Sequence, residues 1–162
     1  MPEIIKHNSV TRDDWQVVTA DTTAVPAGSN LLLPYPLWQQ QRTALAGRSD
    51  IGIWFDSAEL PSAEDTAAIQ QLPLIAIHFP VFTDGRGFSI ARLLRERFGY
   101  RGELRAIGYV LRDQLCFLKR CGVDSFVLPE GTNLQAALAS LDDFTEYYQT
   151  SVDQPQPLFR RL

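Results

Sequence analysis

The chain has 162 residues, 45% of them apolar and 21% charged, which suits one ordinary domain, residues 1–162, and excludes disordered, collagen-like and coiled-coil classes. Fifteen Lys and Arg against nineteen Asp and Glu leave a net charge of −4, so the broad positive field of a nucleic-acid binder is missing and nucleic acid is not an expected partner. No apolar run approaches the roughly 18 residues of a membrane helix, and the opening MPEIIKHNSV lacks the apolar stretch of a secretory signal, so a cytoplasmic protein without a membrane partner is expected.

Taken in chain order, Glu3–Lys6 and Trp15–Val18 read as two strands of an N-terminal hairpin joined by an eight-residue connection, and residues 19–30 as a surface connector. Pro36 stands at a first helical position, and Leu37, Trp38, Gln41 and Leu45 recur at helical spacing, which predicts a helix over Pro36–Ala46 stopped by Gly47. From residue 50 onward short apolar strands alternate with amphipathic helices. The strands are Ile51–Phe55, Leu74–Phe79, Leu104–Ile107 and Asp124–Leu128. The helices are a short one from Ser62 to Gln71, then Ser89–Phe98 with Ile90, Leu93, Leu94 and Phe98 inward, and Val110–Cys121. Asn133 caps a last helix running to about Tyr148, and a Pro-rich tail follows on the surface. Right-handed crossovers make this an α/β fold. The expected architecture is a mostly parallel sheet of about four strands with crossover helices, either open or curled as a partial β/α barrel, with the hairpin added. Ligands collect at the carboxyl ends of such strands. That directs attention to Asp56–Ser57, Phe79–Phe88, Gly108–Asp113 and Pro129–Gly131.

The most informative loop is Phe79-Pro-Val-Phe-Thr-Asp-Gly-Arg-Gly-Phe-Ser89, which leaves a strand end and enters a helix through two glycines. Gly85 and Gly87 allow close backbone approach, and a helix start offers free N–H groups to an anion. Asp84 and Arg86 flank Gly85, Ser89 is the expected helix cap, and Arg92 and Arg95 are expected one turn apart on the outward side. In the next strand-to-helix loop, Asp113 and Gln114 are candidates to face the same cleft, with Asp113 as a proton acceptor. Each has a plainer role: Asp84 fixing the loop through Arg86, Ser89 only capping, Asp113 stabilising a helix start. The loop matches neither the P-loop nor the dinucleotide pattern. His78 reads as a core histidine whose position near a strand end keeps it eligible for chemistry. Cys116 and Cys121 read as packing residues, and with no Cys/His ligand set and no G-x-S-x-G context, neither a metal site nor a hydrolase triad is expected. No catalytic residue and no cofactor is assigned.

Between Phe82 and Gly122 nine basic residues stand against four acidic ones, on an otherwise acidic chain. Eight of the nine are arginines, which favours bidentate recognition of carboxylate, phosphate or sulfate.

The run FPVFTDGRGFSIARLLRERFGYRGELRAIGYVLRDQLCFLKRCGVDSF, residues 79–126, resembles the signature block of the bacterial domain of unknown function 934 family. Members are often encoded beside the assimilatory sulfite reductase and are labelled probable oxidoreductases in sulfite reduction. The family pattern has Gly-Asp-Val-Leu where this chain has Gly108-Tyr109-Val110-Leu111, which leaves Asp113 as the nearest carboxylate. The resemblance implies the sulfite-reduction context, and the segregated basic charge with no complete cofactor or nucleophile motif makes the leading expectation an accessory protein of assimilatory sulfite reduction. It would dock an acidic redox partner, sulfite reductase or its electron donor, through the arginine-rich helix. The alternative is an enzyme or sensor that binds a small sulfur oxyanion or phosphorylated ligand at the Asp84, Arg86, Ser89 loop.

Overall fold

The computed structural model describes residues 2–161. Its strands are β1 (Glu3–Lys6), β2 (Ser9–Arg12), β3 (Gln16–Val17), β4 (Leu31–Pro34), β5 (Ile51–Phe55), β6 (Leu74–Phe79), β7 (Glu103–Gly108) and β8 (Ser125–Phe126). The helices are α1 (Tyr35–Leu45), α2 (Thr66–Ile69), α3 (Arg86–Glu96), α4 (Leu115–Arg120) and α5 (Leu134–Ala139). The fold is α/β with an open, curled sheet. That sheet corrects the expected four parallel strands: it has eight, in the order β2-β1-β8-β7-β6-β5-β4-β3, and it is mixed. From β3 to β8 all neighbours are parallel, whereas β1 runs antiparallel to both β2 and β8.

The N-terminal hairpin exists with a different second strand. His7 and Asn8 both take positive φ, 47° and 59°, and so make the tight two-residue turn that matches strand twist. β1 therefore pairs with Ser9–Arg12, and Gln16–Val17 goes to the opposite edge of the sheet beside β4.

Consecutive parallel strands with crossovers of one hand place every helix on one face. Leu33, Ile53, Ile77, Ala106 and Phe126 point to that face and share one apolar cluster with Leu37, Trp38, Ile90, Leu94 and Leu118. The alternate residues Leu32, Trp54, Leu74, Ala76 and Ile107 line the other face, where Trp15 and Val127 pack on them. All five residues of β5 are buried, which accounts for its unbroken apolar run.

Several boundaries move. α3 starts at Arg86, three residues before the expected Ser89, and its Gly87 lies against Phe79, where a Cβ would sit 2.5 Å from the ring. The expected helix Val110–Cys121 becomes a 3-10 turn, Arg112–Gln114, followed by α4. The fourth expected strand shortens to β8, and the last helix stops at Ala139, with a 3-10 turn at Ser140–Asp142. The tail is docked rather than loose: Ser151 is buried and donates to the Arg120 carbonyl at 2.7 Å.

At the amino ends of β7 and β8 the helix-free face is closed by charge. Arg105, 2% exposed, donates to Glu103 at 2.7 Å and Asp13 at 2.8 Å, and Lys6 reaches Glu103 at 2.6 Å. Ser125 donates to Glu103 as well, at 2.6 Å. Burial raises the Glu103 carboxyl, but Lys6, Ser125 and Arg105 outweigh it, so the net shift is downward.

Candidate functional site

The carboxyl ends of β5, β6 and β7 hold the polar residues that the core leaves unexplained. β6 ends at Phe79 and the chain passes through residues 80–85 into α3, whose cap position is Gly85. Asp84 grips Arg86 on two sides: Nε donates to Oδ1 at 2.9 Å and Nη2 to Oδ2 at 2.7 Å. The Arg86 backbone N–H also donates to Oδ1, at 3.2 Å. Ser57, just beyond β5, donates its hydroxyl to Asp84 at 2.6 Å and accepts Nη2 of Arg86 at 3.0 Å. Arg86 and then Ser57 hold the Asp84 carboxyl far below the usual carboxylate range. The negative charge that a helix start attracts is thus supplied here by the chain's own Asp84. Nη1 of Arg86 keeps no partner among the described residues, and the side chain is 61% exposed.

Ser89 is exposed inside α3 and does not cap it. The arginines of α3 separate. Arg92 is on the surface in a 2.9 Å pair with Glu96. Arg95 turns inward, correcting the expectation that it shares the outward side. Its Nε donates to the Gly122 carbonyl at 2.9 Å, Nη1 to those of Tyr100 and Gly102 at 2.8 and 2.9 Å, and Nη2 to Asp124 at 2.5 Å. The basic surplus of the segment is largely cancelled in space. Arg95, Arg105, Lys119 and Arg120 pair with Asp124, Asp13, Asp142 and Asp153, all from outside it. Arg97 and Arg101 remain exposed.

Asp113 and Gln114 do not join the Asp84 loop. Gln114 is buried and its Oε1 accepts the Leu111 N–H at 3.0 Å, which ties the start of the 3-10 turn. Asp113 is exposed and lines a cleft of about 480 Å³ with Arg112, Pro129, Thr132 and Asp143, to which Asp84 and Arg86 do not contribute.

Sequence reasoning missed a second polar unit beside the clasp. Asp56 Oδ1 accepts the Ser57 N–H at 2.9 Å and lies 3.2 Å from Nδ1 of His78. The His78 ring stands edge-on to Trp54, centroids 5.7 Å apart. Gly108 makes room for it: φ is +89°, and a Cβ there would meet the imidazole at 2.7 Å and the Phe79 carbonyl at 2.5 Å. Asp56 also donates its N–H to Glu59 at 2.8 Å. Burial, with the charge of Asp56 adding to it, raises the Glu59 carboxyl against that hydrogen bond. The sequence signal was the position of Asp56 and His78 at adjoining strand ends.

Three apolar side chains are left half-exposed on the same side of the molecule: Val81 at 53%, Phe82 at 44% and Tyr109 at 50%. They come from the loops after β6 and β7, which are held together by the Tyr109 N–H donating to the Phe79 carbonyl at 2.7 Å. Among the described residues no group of three His, Cys, Asp or Glu side chains is placed to hold a metal ion, and no helix is long and apolar enough to cross a membrane.

Fold and site together define an α/β protein with an open, curled sheet, helices on one face, and a polar clasp at the carboxyl ends of its central strands. The family model described as bacterial protein of unknown function (DUF934) matches residues 52–159, and the chain belongs to that family. No curated protein and no solved structure gives a significant match.

Proposed function

We propose that this protein is an accessory protein of assimilatory sulfite reduction that docks the reductase or its acidic electron donor through the loops after β6 and β7. The observation that carries the reading is the half-exposed Val81, Phe82 and Tyr109 on two loops tied by the Tyr109 N–H to Phe79 carbonyl bond, with the exposed Arg86 farther along the first loop. Protein interfaces favour aromatic and arginine side chains at their centres. Arg92 within α3 and Arg97 just past its end add long-range attraction for an acidic surface. Arg95, committed inside the fold, is removed from the docking set. The sulfite context comes from the genomic company of the family.

The small-anion alternative at the same loop has one observation behind it, the unpartnered Nη1 of Arg86, and one against it, the Asp84 carboxylate already seated at the start of α3. A pull-down with sulfite reductase at low and high salt tests docking. Association is expected to fall at least about tenfold for Phe82→Asp with Tyr109→Asp, and unchanged association removes the reading. Calorimetry with sulfite, sulfate and phosphate is expected to give no heat that depends on Arg86; such heat, lost in Arg86→Ala, would favour the alternative.

A further inference from the structure

We propose that a cleft between the end of α1 and the α2 turn binds a small amphipathic carboxylate, a molecule with an apolar body and one anionic head. The cleft measures about 400 Å³, within the span of about 300–1,000 Å³ usual for small-ligand sites. Several of its walls stand just ahead of β5 and β6, at the opposite end of these strands from the Asp84 clasp, and none belongs to the loops after β6 and β7. Trp38, Leu45, Ala68 and Leu72 form its apolar part, and all four pack in the main core. α1 carries Trp38 and Leu45 two turns apart on one row, so both face α2 and the chain after it. With four residues against the eleven of α1, α2 is about 6 Å long against about 16 Å, which leaves the far half of that row open.

Every polar side chain in these walls can donate a hydrogen bond, and none is acidic. Trp38 is 3% exposed, and its indole N–H, a donor that cannot accept, has no partner among the described residues. The unpaired side-chain groups that the fold seals off among those residues are Nε of Arg120 and of Arg161. The Trp38 N–H is not one of them, and it meets open space where Trp38 lines the cleft. Arg42 gives Nη1 to Asp65, and Arg48 gives Nε and Nη2 to Asp50 at 2.9 and 2.7 Å. Nε and Nη2 of Arg42 and Nη1 of Arg48 stay unpaired among the described residues. Asp65 and Asp50 stand outside the walls and already offset part of each charge. The two guanidiniums therefore suit one carboxylate rather than a dianion. An amine would meet two cations and no carboxylate there, and an anion without an apolar body would leave the walls wet.

Titration with octanoate below its micelle concentration, followed by nuclear magnetic resonance at the indole N–H groups, reads the site. Octanoate is expected to shift the Trp38 signal and not that of Trp54, whose N–H is already on the Val18 carbonyl at 2.9 Å. Octylamine lacks the anionic head and acetate lacks the body, and both are expected to leave Trp38 unmoved. Arg48 is exposed, so Arg48→Gln is expected to fold and to weaken octanoate at least about tenfold. Ala68→Leu, which fills the cleft without touching a charge, is expected to weaken it as well. Arg42 is kept, because the buried Asp65 depends on it. No Trp38 shift with octanoate, an equal shift with octylamine or acetate, or an affinity indifferent to either variant overturns the assignment.

Discussion

The two ends of the sheet carry the same ingredients, an arginine gripped by carboxylates with a serine joining in, and use them differently. At the amino end Arg105 is 2% exposed and spends its donors on Glu103, Asp13 and Ser125. At the carboxyl end Arg86 is 61% exposed, has one carboxylate partner, and keeps Nη1 free. The first arrangement closes the helix-free face. The second holds Ser57, and through it Asp56, at a surface that also presents Val81, Phe82 and Tyr109. Burial decides between these roles, since a buried charge must be fully paired whereas a half-exposed one has donors to spare.

The largest expected effect breaks the amino end. Arg105→Met strands the buried Asp13 carboxylate and leaves Glu103 with Lys6 as its one cation, and should destabilise the fold by about 3–5 kcal/mol in urea unfolding; Arg86→Met should leave the midpoint near the wild-type value. Equal losses would erase the contrast. Gly108→Ala acts on the carboxyl end through the backbone. Its φ of +89° and the close Phe79 carbonyl predict a loss on the order of 1–3 kcal/mol in urea unfolding.

Acid sharpens the comparison. Because the Glu103 carboxyl lies below its usual value of 4.5 in the fold, its stabilisation is complete above that value and is lost as the pH falls through the lower folded one. Thermal melts between about pH 5 and about pH 3 should therefore show a steeper fall for wild type than for Glu103→Gln. The smallest effect belongs to Arg92→Glu, an exposed site already paired with Glu96. It should weaken partner association only a few-fold at low salt, and not at all at high salt.

Much of this frame is legible in the residues. β5 and β6 are apolar runs flanked by turn residues, and the rule that ligands gather at carboxyl ends leads to Asp56–Ser57 and to the Asp84 loop. What escaped is set by contacts far apart in the chain. The His7–Asn8 turn is short because an asparagine and a histidine accept positive φ, a choice residue pattern alone does not dictate. Arg95 follows Gly87 and Ala91 along the inner row of α3. Its guanidinium goes inward because the Tyr100, Gly102 and Gly122 carbonyls and Asp124 are there to receive it. A charge count over residues 82–122 likewise misses the four aspartates that fold back onto it from elsewhere. The pairing of Asp56 with His78 depends on the parallel register of β5 and β6, which apolar periodicity leaves open.

The most direct measurement is growth without cysteine of a strain lacking this reading frame, complemented by wild type or by Phe82→Asp with Tyr109→Asp, a variant expected to melt like wild type. The account predicts that the deletion grows poorly, that wild type restores growth, and that the double variant does not. Normal growth of the deletion strain, or full rescue by the double variant, would contradict it.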